Sequence, residues 1–362
     1  MKYYLIAGEA SGDMHAANLM KELRVFDAEA QFQGFGGDKM QAQGLKLVKH
    51  YTEMAFMGFL EVISNLNTIR KNLALAKKDI QSFQPDVLIL IDYPGFNMRI
   101  AKFAKKLGTK VAYYITPQVW AWRQGRVKQL KRDTDLLLPI LPFENEFFTN
   151  LGVESTFVGH PLLDELTDSN RKSVETEKPV IALLPGSRKQ EIKKMLPLMM
   201  ELADHFTDYQ FIIAGAPSIT SSFYRSITGD SYLPISTDKT YEVLKGAKAA
   251  VITSGTATLE AAILQVPQVV CYQTSGLSYW IGKQVIKVPF ISLVNLILNK
   301  KVVAELVQAD FNKERLIQEI DKLLNKKQRK ILLVEYEKLI KKLGTKGSSR
   351  RAAKAILCLF KN

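Results

Sequence analysis

The sequence predicts an α/β protein of two domains, each built on a doubly wound parallel β-sheet. The chain has 362 residues, which is more than a domain with a single hydrophobic core usually contains. Both halves open alike, with an apolar run, a glycine-containing turn and a helix-like segment, at Met1–Asp13 and again at Val180–Leu196. Short apolar runs then alternate with helical segments throughout, which is the pattern of parallel β/α units.

The composition is that of an ordinary globular protein, with 47% hydrophobic and 24% charged residues. Cys271 and Cys358 lie far apart among apolar neighbours, which predicts core or near-core thiols in a reducing compartment. No apolar run approaches the ~18 residues of a membrane span, and the N-terminal run leads straight into a glycine turn. These features predict a cytoplasmic protein without a signal peptide.

The formal net charge of +14 favours an anionic partner. Nucleic acid, a phosphorylated substrate and an acidic lipid surface all fit that charge. The basic residues are dispersed, with a bias toward the C-terminal third, and no nucleic-acid-binding motif accompanies them. We therefore expect no nucleic acid partner.

The first strand is predicted at Tyr3–Ala7, and the turn GEASGD (Gly8–Asp13) leads into a helix that runs to about Val25. Ser11 suits the N-terminus of that helix. The glycine spacing G-x-x-x-G differs from the dinucleotide fingerprint G-x-G-x-x-G, which argues against a nicotinamide cofactor. A second strand is predicted at Phe32–Gly37.

The segment Thr52–Ile80 carries more apolar side chains than one buried helical stripe requires, and basic residues follow them directly. A lipid-facing surface and an ordinary helix packed on the sheet both account for this pattern. The residues predicted to contact acyl chains or lipid are Met54, Phe56, Met57, Phe59, Leu60 and Ile63.

Asp92 follows the continuous apolar strand Val87–Ile91, in the motif IDYPGFN that also contains Asn97, a candidate contact for the acceptor. An acid at the carboxyl end of a parallel strand lies where open α/β sheets bind ligands, so Asp92 is a candidate general base. The alternative is a structural Asx turn before Pro94. A helix is predicted to follow at Arg99–Leu107.

Two tryptophans follow the predicted strand Lys110–Ile115, in the motif TPQVWAW (Thr116–Trp122), with Arg123, Arg126 and Lys128 just beyond. Trp120 is a candidate contact for a sugar or acyl group, although aromatic side chains are more often part of the core.

After a further strand at Leu136–Leu141, His160 stands in a Gly-His-Pro turn. This histidine is a candidate base, but a structural hydrogen-bonding role is the more frequent one. The polar segment Thr167–Lys178 lacks periodicity and is predicted to link the two domains.

The second half opens on the strand Val180–Leu184 and the turn Pro185–Arg188. Gly186 permits a close approach of the backbone to a ligand, Ser187 is predicted to cap the next helix, and Arg188 stands beside the exposed N–H groups. This combination predicts a phosphate-binding turn, whereas an arginine that is merely solvated is the alternative.

Further strands are predicted at Gln210–Ala214, Leu233–Ile235, Ala249–Thr253 and Pro267–Gln273. The motif SGTATLE, which contains Gly255, Thr256, Ala257 and Glu260, offers small residues at a helix start where phosphate oxygens can be bound. Glu260 can accept hydrogen bonds from ribose hydroxyls, or act only as a helix cap. Asn295 is expected in a loop or at a strand end near the same edge, and everything after Lys300 is predicted to be helical.

Nine motifs occur in the order and approximate spacing of the lipid A disaccharide synthase family, which the chain resembles through about Leu306. They are GEASGD, MGFLEV, IDYPGFN, TPQVWAW, PFE, FVGHPLLD, LLPGSRKQE, SGTATLE and SLVN. The resemblance implies two Rossmann-like domains facing across a cleft, as in GT-B inverting glycosyltransferases. The implied boundaries are residues 1–168, 169–340 and a C-terminal helix at 341–362 that either crosses back to the first domain or is exchanged in a homodimer.

The implied reaction joins UDP-2,3-diacylglucosamine to 2,3-diacylglucosamine 1-phosphate, giving a β-1,6-linked disaccharide 1-phosphate and UDP. The family's essential acid matches Asp92, its phosphate-contacting arginine Arg188, and its first-turn serine Ser11. Its helix carboxylate matches Glu260 and its late asparagine Asn295. The resemblance also implies peripheral association with the anionic inner face of the inner membrane.

Val294 and Asp38 each stand at a position where the family commonly has proline. These two departures affect the local loop geometry, but neither removes a functional group. No D-x-D carboxylate pair accompanies either phosphate turn, so neither a metal nor a cofactor is expected.

Two other functions remain as alternatives to this interpretation, one enzymatic and one not. A sugar-nucleotide 2-epimerase shares the architecture but needs no apolar segment such as Thr52–Leu75, and a non-enzymatic basic protein would explain the charge alone.

Overall fold

The computed structural model describes residues 1–54, 66–122, 124–166, 172–229, 233–276, 279, 284 and 288–360. Its contacts divide the chain into two compact units. Unit 1 comprises Met1–Pro161 and Leu343–Asn362, and unit 2 comprises Leu162–Lys342. The predicted linker Thr167–Lys178 falls within unit 2, and its residues 167–171 lie outside the described part of the chain.

Unit 1 contains a six-stranded parallel sheet of order β3-β2-β1-β4-β5-β6. Its strands are β1 (Lys2–Ala7), β2 (Gln31–Gly36), β3 (Leu45–His50), β4 (Val87–Ile91), β5 (Lys110–Tyr114) and β6 (Leu136–Leu138). Its first helices are α1 (Ala10–Phe26), α2 (Asp38–Ala42), α3 (Leu66–Phe83), α4 (Pro94–Lys106), α5 (Val127–Asp133) and α6 (Pro142–Asn150).

Both faces of this sheet are covered, which explains why β4 is a continuous apolar run without alternation. One face packs against α1 through residues such as Leu19 and Leu23. The other face packs against α3, α4 and α5 through residues such as Ile80, Ile100 and Leu130. Because helices cover both faces of the sheet, the carboxyl ends of the strands are the place where a ligand can reach this unit.

The chain returns to unit 1 at its end, where α15 (Ser348–Cys358) packs on α1. Arg351 donates from Nε to the carbonyl oxygen of Val158 at 2.8 Å, and Ser348 Oγ donates to the carbonyl oxygen of Gly159 at 2.8 Å. A Cβ at Gly159 would lie 2.6 Å from the Arg351 guanidinium, so this glycine permits the close approach. The FVGH motif therefore serves to attach the C-terminal segment.

Unit 2 contains a second six-stranded parallel sheet, of order β12-β11-β10-β7-β8-β9. Its strands are β7 (Val180–Leu184), β8 (Gln210–Ala214), β9 (Ile235–Ser236), β10 (Ala247–Thr253), β11 (Gln268–Tyr272) and β12 (Ala304–Val307). Its helices are α7 (Leu162–Leu166), α8 (Lys189–Met200), α9 (Ser221–Thr228), α10 (Thr240–Gly246), α11 (Ala257–Ile263), α12 (Leu293–Leu298), α13 (Lys313–Leu324) and α14 (Lys326–Leu343).

The predicted class of two doubly wound parallel sheets is confirmed, but two strands went unpredicted. The edge strands β3 and β12 are only partly buried, so neither has the continuous apolar run of a central strand. The expectation of helix alone after Lys300 was therefore wrong. Cys271 is buried as predicted, whereas Cys358 is exposed because it lies on the outer side of α15.

Among the helices of the described residues, none is long and apolar enough to cross a membrane.

Candidate active site

Three non-glycine residues adopt the left-handed backbone region at the carboxyl ends of neighbouring strands in unit 1. The φ angles are 46° at Asp92, 49° at Tyr93 and 61° at Ile115. A β-branched residue such as isoleucine is rare in this region, and such strained positions cluster at functional sites. These backbone conformations thus mark the carboxyl ends of β4 and β5, called the active edge below, as the candidate site of unit 1.

Asp92 is half-buried at this edge, and burial raises the pKa of its carboxyl to about 6, against the lowering effect of a hydrogen bond from the Tyr93 backbone. Its carbonyl oxygen accepts from Tyr113 Oη at 2.7 Å and from Asn97 Nδ2 at 2.8 Å. The backbone is thus fixed by two hydrogen bonds, while the raised pKa of the carboxyl makes it a stronger proton acceptor than an ordinary aspartate.

Asn97 was predicted to contact the acceptor, but its side chain is fully buried in α4. Its amide nitrogen also donates to the carbonyl oxygens of Ile91 at 3.2 Å and Ile6 at 3.4 Å. The sequence prediction began this helix at Arg99, whereas Pro94 starts it and brings Asn97 inside. Asn97 therefore holds the Asp92 turn rather than facing a ligand.

The GEASGD turn packs against the same edge. A Cβ at Gly8 would lie 2.4 Å from the Tyr93 ring, so only glycine leaves room for that ring. Asp13 is buried and accepts from the backbone N–H of Gly37 at 2.7 Å and of Met40 at 3.1 Å, which ties this turn to the start of α2. Ser11 is exposed in the first turn of α1.

Trp120 is only 9% exposed, with its indole N–H donating to Glu144 Oε1 at 3.0 Å. Its ring meets Phe143 edge-on, with the centroids 4.8 Å apart. Trp120 was predicted as a contact for a sugar or acyl group, whereas the structure places its ring against protein on the sides that these contacts occupy.

Glu144 is a buried carboxylate that the sequence analysis did not assign to the site. It also accepts from the backbone N–H of Leu141 at 2.9 Å and of Ile140 at 3.2 Å, and from Thr116 Oγ1 at 3.3 Å. Burial raises its pKa to about 7 despite these bonds. A proline at the first helical position followed by a glutamate at the third is the signal that could have identified it.

The predicted lipid contacts divide into two groups. Met54 is 1% exposed and belongs to the core, and its carbonyl oxygen accepts from Tyr93 Oη at 2.8 Å, so the prediction was wrong for this residue. Phe56, Met57, Phe59, Leu60 and Ile63 lie outside the described residues.

His160 is buried beside His15, away from solvent. Burial lowers the pKa of His160 to about 3, with a further contribution from His15, and it lowers the pKa of His15 to about 4. A histidine with so low a pKa accepts protons too weakly to serve as a general base near neutral pH. The structural role of His160 is therefore favoured.

We expect this histidine pair to destabilise the protein in acid. Because both folded-state pKa values lie below the unfolded value, the unfolded chain binds protons between pH 6.5 and 4 that the native chain cannot bind. The free energy of unfolding should therefore decrease as the pH is lowered through this window, by about 1.4 kcal/mol per pH unit for each histidine. His15→Gln should make the slope shallower in chemical denaturation from pH 7.5 to 4.

The exposed His205→Gln serves as the control and should leave that slope unchanged. An unchanged slope in His15→Gln would contradict the assignment.

In unit 2, the turn after β7 carries the predicted anion site. Gly186 has a φ of 115°, and a Cβ there would lie 2.7 Å from a carboxylate oxygen of Glu191. Glu191 Oε2 accepts from the backbone N–H of Ser187 at 3.3 Å, and Glu191 Oε1 accepts from Arg188 Nη1 at 2.9 Å. A carboxylate of the protein therefore engages the two donors expected to bind phosphate.

The helix that follows starts one residue later than predicted, since Arg188 and not Ser187 is the N-cap of α8. The side chain of Arg188 is 60% exposed, and exposed ion pairs of this type contribute about 0–1 kcal/mol. A phosphate can thus displace Glu191 at little cost.

The second predicted nucleotide segment begins α11. Gly255 and Thr256 are exposed, and Ala257 is the first helical residue. Glu260 is half-buried, and its pKa is raised to about 7 by burial and then by repulsion from Glu165, against a hydrogen bond from Tyr241. The carboxyl of Glu260 is thus poised to gain or lose a proton near neutrality.

Asn295 lies in α12, not in a loop or at a strand end, and is fully buried. Its Oδ1 accepts from Val302 N at 2.7 Å and from Val303 N at 2.9 Å, while Nδ2 donates to Glu305 Oε1 at 2.8 Å. Its side-chain amide is engaged by the loop before β12 and by Glu305 within β12, so any influence on a nucleotide passes through these two elements.

Within the described ranges, no group of three or more His, Cys, Asp or Glu side chains has a geometry that could hold a metal ion.

Known proteins resemble this chain over almost its whole length. The family described as Lipid-A-disaccharide synthetase matches residues 3–359. A lipid-A-disaccharide synthase of Geobacter metallireducens is 40% identical over 371 residues, covering 98% of this chain and 96% of that protein. One from Myxococcus xanthus is 38% identical and covers 98% of this chain and 97% of that protein.

Solved structures share the fold at low identity. A UDP-GlcNAc 2-epimerase from Neisseria meningitidis, bound to UDP-GlcNAc, superposes with a TM-score of 0.64 at 13% identity over 100% of both chains. The glycotransferase of kitacinnamycin gives a TM-score of 0.69 at 14% identity, covering 99% of this chain and 98% of that one. The units thus have the sheet architecture of GT-B enzymes, and the sequence identity of the relatives decides the family. The chain belongs to the lipid-A-disaccharide synthase family.

Proposed function

We propose that this protein transfers a diacylglucosaminyl group from UDP-2,3-diacylglucosamine to 2,3-diacylglucosamine 1-phosphate. The products are the β-1,6-linked disaccharide 1-phosphate and UDP. The observation that carries the proposal is the position of Asp92, at the strained carboxyl ends of β4 and β5. Its carboxyl has a pKa of about 6, and the chain belongs to this family.

Asp92 acts as the general base in this scheme. It takes the proton of the acceptor's 6-hydroxyl as that oxygen attacks the anomeric carbon of the donor. One displacement converts the α-linked donor into a β-linked product, so no covalent glycosyl-enzyme is formed. Ser11, which is exposed in the first turn of α1, is proposed as a third catalytic residue in addition to Asp92 and Arg188.

Unit 2 binds the nucleotide. The N–H groups at Gly186 and Ser187 and the guanidinium of Arg188 bind the pyrophosphate, which displaces the Glu191 carboxylate. Arg188 then receives the charge that develops on the departing UDP. Gly255, Thr256 and Ala257 contribute further contacts, Glu260 accepts from the ribose hydroxyls, and Asn295 supports the neighbouring loop.

Arg188 supplies positive charge to the pyrophosphate, so we propose that transfer proceeds without a divalent metal. The decisive experiment incubates the purified protein with defined UDP-diacylglucosamine and acceptor, with and without a chelator, and identifies the product by mass spectrometry and NMR. A β-1,6-linked disaccharide 1-phosphate is expected in both arms. An epimerised UDP-sugar would support the 2-epimerase instead, and no product together with no UDP-induced rise in Tm would support the non-enzymatic alternative.

We also propose that the protein associates peripherally with an anionic membrane surface, through Phe56, Met57, Phe59, Leu60 and Ile63. Leu66, which follows this apolar stretch, is 45% exposed, and Arg70 and Lys71 stand exposed on the next turn. Changing the five residues to Ser should release the protein from anionic vesicles without lowering its Tm, because side chains that bind lipid in this proposal do not contribute to the core.

Met54→Ser is the matched comparison. Met54 is buried, so this change should cost about 2–5 kcal/mol of stability, the usual range for truncating a core methionine. Unfolding of the five-residue variant would show that those side chains are also core and would refute the lipid-facing role.

A further inference from the structure

Arg126 occupies a defined position near the active edge of unit 1, although none of the roles proposed above uses it. It ends the short helical turn Gln124–Arg126 and immediately precedes α5. Its guanidinium carbon lies 5.6 Å from the centroid of the Trp122 ring, and Trp122 is 40% exposed. A guanidinium this close to an indole ring is attracted to it, and the contact restrains the arginine side chain.

The charge of Arg126 acts on the network that holds Asp92. Tyr113 Oη donates to the Asp92 carbonyl oxygen at 2.7 Å. Burial raises the pKa of Tyr113 strongly, and the positive charge of Arg126 is close enough to oppose that rise. The segment that carries Arg126 leaves the sheet at the carboxyl end of β5, which pairs with the end of β4 that precedes Asp92.

The segment that presents Arg126 is anchored to the core. Trp120 and Thr116 both donate to the buried Glu144 carboxylate, at 3.0 and 3.3 Å. Val127, the residue after Arg126, is buried in the core of unit 1. Anchors on both sides reduce the entropy lost when this segment orders around a ligand.

We propose that Arg126 binds the phosphate of the sugar acceptor and so selects acceptors that carry one. This inference rests on the proposed function, since the acceptor named there is a sugar 1-phosphate. One hexose ring separates the attacking hydroxyl from that phosphate, so the group that binds it must lie near Asp92 without contacting it. A planar guanidinium engages a phosphate with two parallel hydrogen bonds, which the exposed lysines of α5 cannot do.

The test compares the acceptor 1-phosphate with the same sugar lacking the phosphate. Arg126→Ala should raise KM for the phosphorylated acceptor about 10- to 100-fold, the usual effect of losing a hydrogen bond to a charged group. It should leave KM for the unphosphorylated acceptor and the Kd of UDP unchanged. Arg126→Lys keeps the charge but loses the two-point contact, so it should recover only part of the preference.

Lys128→Ala is the matched control, because it removes the same charge from an exposed position two residues away and should leave the preference intact. A variant of Arg126 that still prefers the phosphorylated acceptor as strongly as the wild type would overturn the inference. Equal losses with both acceptors would also overturn it, since they would indicate a structural role. A wild-type protein that glycosylates neither acceptor would instead overturn the proposed function.

Discussion

Asp92→Asn is expected to lower kcat by about 10²- to 10⁴-fold, the usual contribution of a general base. The substitution isolates the chemistry because asparagine tolerates a positive φ as well as aspartate does, and Asp92 has a φ of 46°. The hydrogen bonds from Tyr113 and Asn97 go to the backbone oxygen and survive the change. Tm and UDP affinity should therefore match the wild type while turnover is lost.

The pH profile gives a second readout of the same residue. A base must be ionised to accept a proton, and burial raises the pKa of Asp92 to about 6. The value of kcat/KM should thus fall about tenfold per pH unit below that pKa, and this limb should disappear in Asp92→Asn. Full activity of the variant, or a trapped glycosyl-enzyme, would refute the mechanism; a structural Asx turn would leave activity intact.

Arg188→Ala is expected to lower kcat by about 10²- to 10³-fold, comparable to the loss of one donor to a developing oxyanion. The guanidinium neutralises UDP as it departs, and alanine leaves only the backbone N–H groups of the turn. The side chain of Arg188 is 60% exposed and, among the described residues, it pairs with Glu191 at the surface, so its removal should leave Tm unchanged. Steady-state kinetics and UDP titration calorimetry measure the two effects separately.

Lys194→Ala provides the comparison for this variant, because it removes one positive charge from an exposed position on α8. It should retain turnover within about twofold, since charges outside the site are screened by salt. Near-normal turnover in Arg188→Ala would place the leaving-group charge on another residue.

The buried strands were the most predictable part of the fold. Val87–Ile91 and Val180–Leu184 were predicted with the bounds that the structure gives, because a strand covered on both faces requires a continuous apolar run. The edge strands Leu45–His50 and Ala304–Val307 were missed, because partial exposure removes that requirement and leaves lysine and glutamate within the strand.

Buried polar residues were the least predictable part of the site. Asn97 and Asn295 were expected to face ligands, yet both are fully buried and bind the backbone of their own loops. An amide donates and accepts equally well toward a ligand or a carbonyl group, so its position in the sequence does not reveal its partner. Trp120 was misassigned for the same reason, since its indole N–H is used by Glu144.

The sequence by itself determined the α/β class, the two sheets, the family and the placement of Asp92 and Arg188 at the ends of central strands. The class, the sheets and the two placements follow from local rules, because hydrophobic periodicity and glycine turns depend on neighbouring residues, whereas the family follows from the resemblance of the nine motifs. Only the tertiary structure decided which polar groups are covered and which are presented. Burial and the raised pKa of Asp92 depend on contacts between distant elements, and the Glu191–Arg188 pair and the Arg126–Trp122 contact depend on the three-dimensional course of a turn.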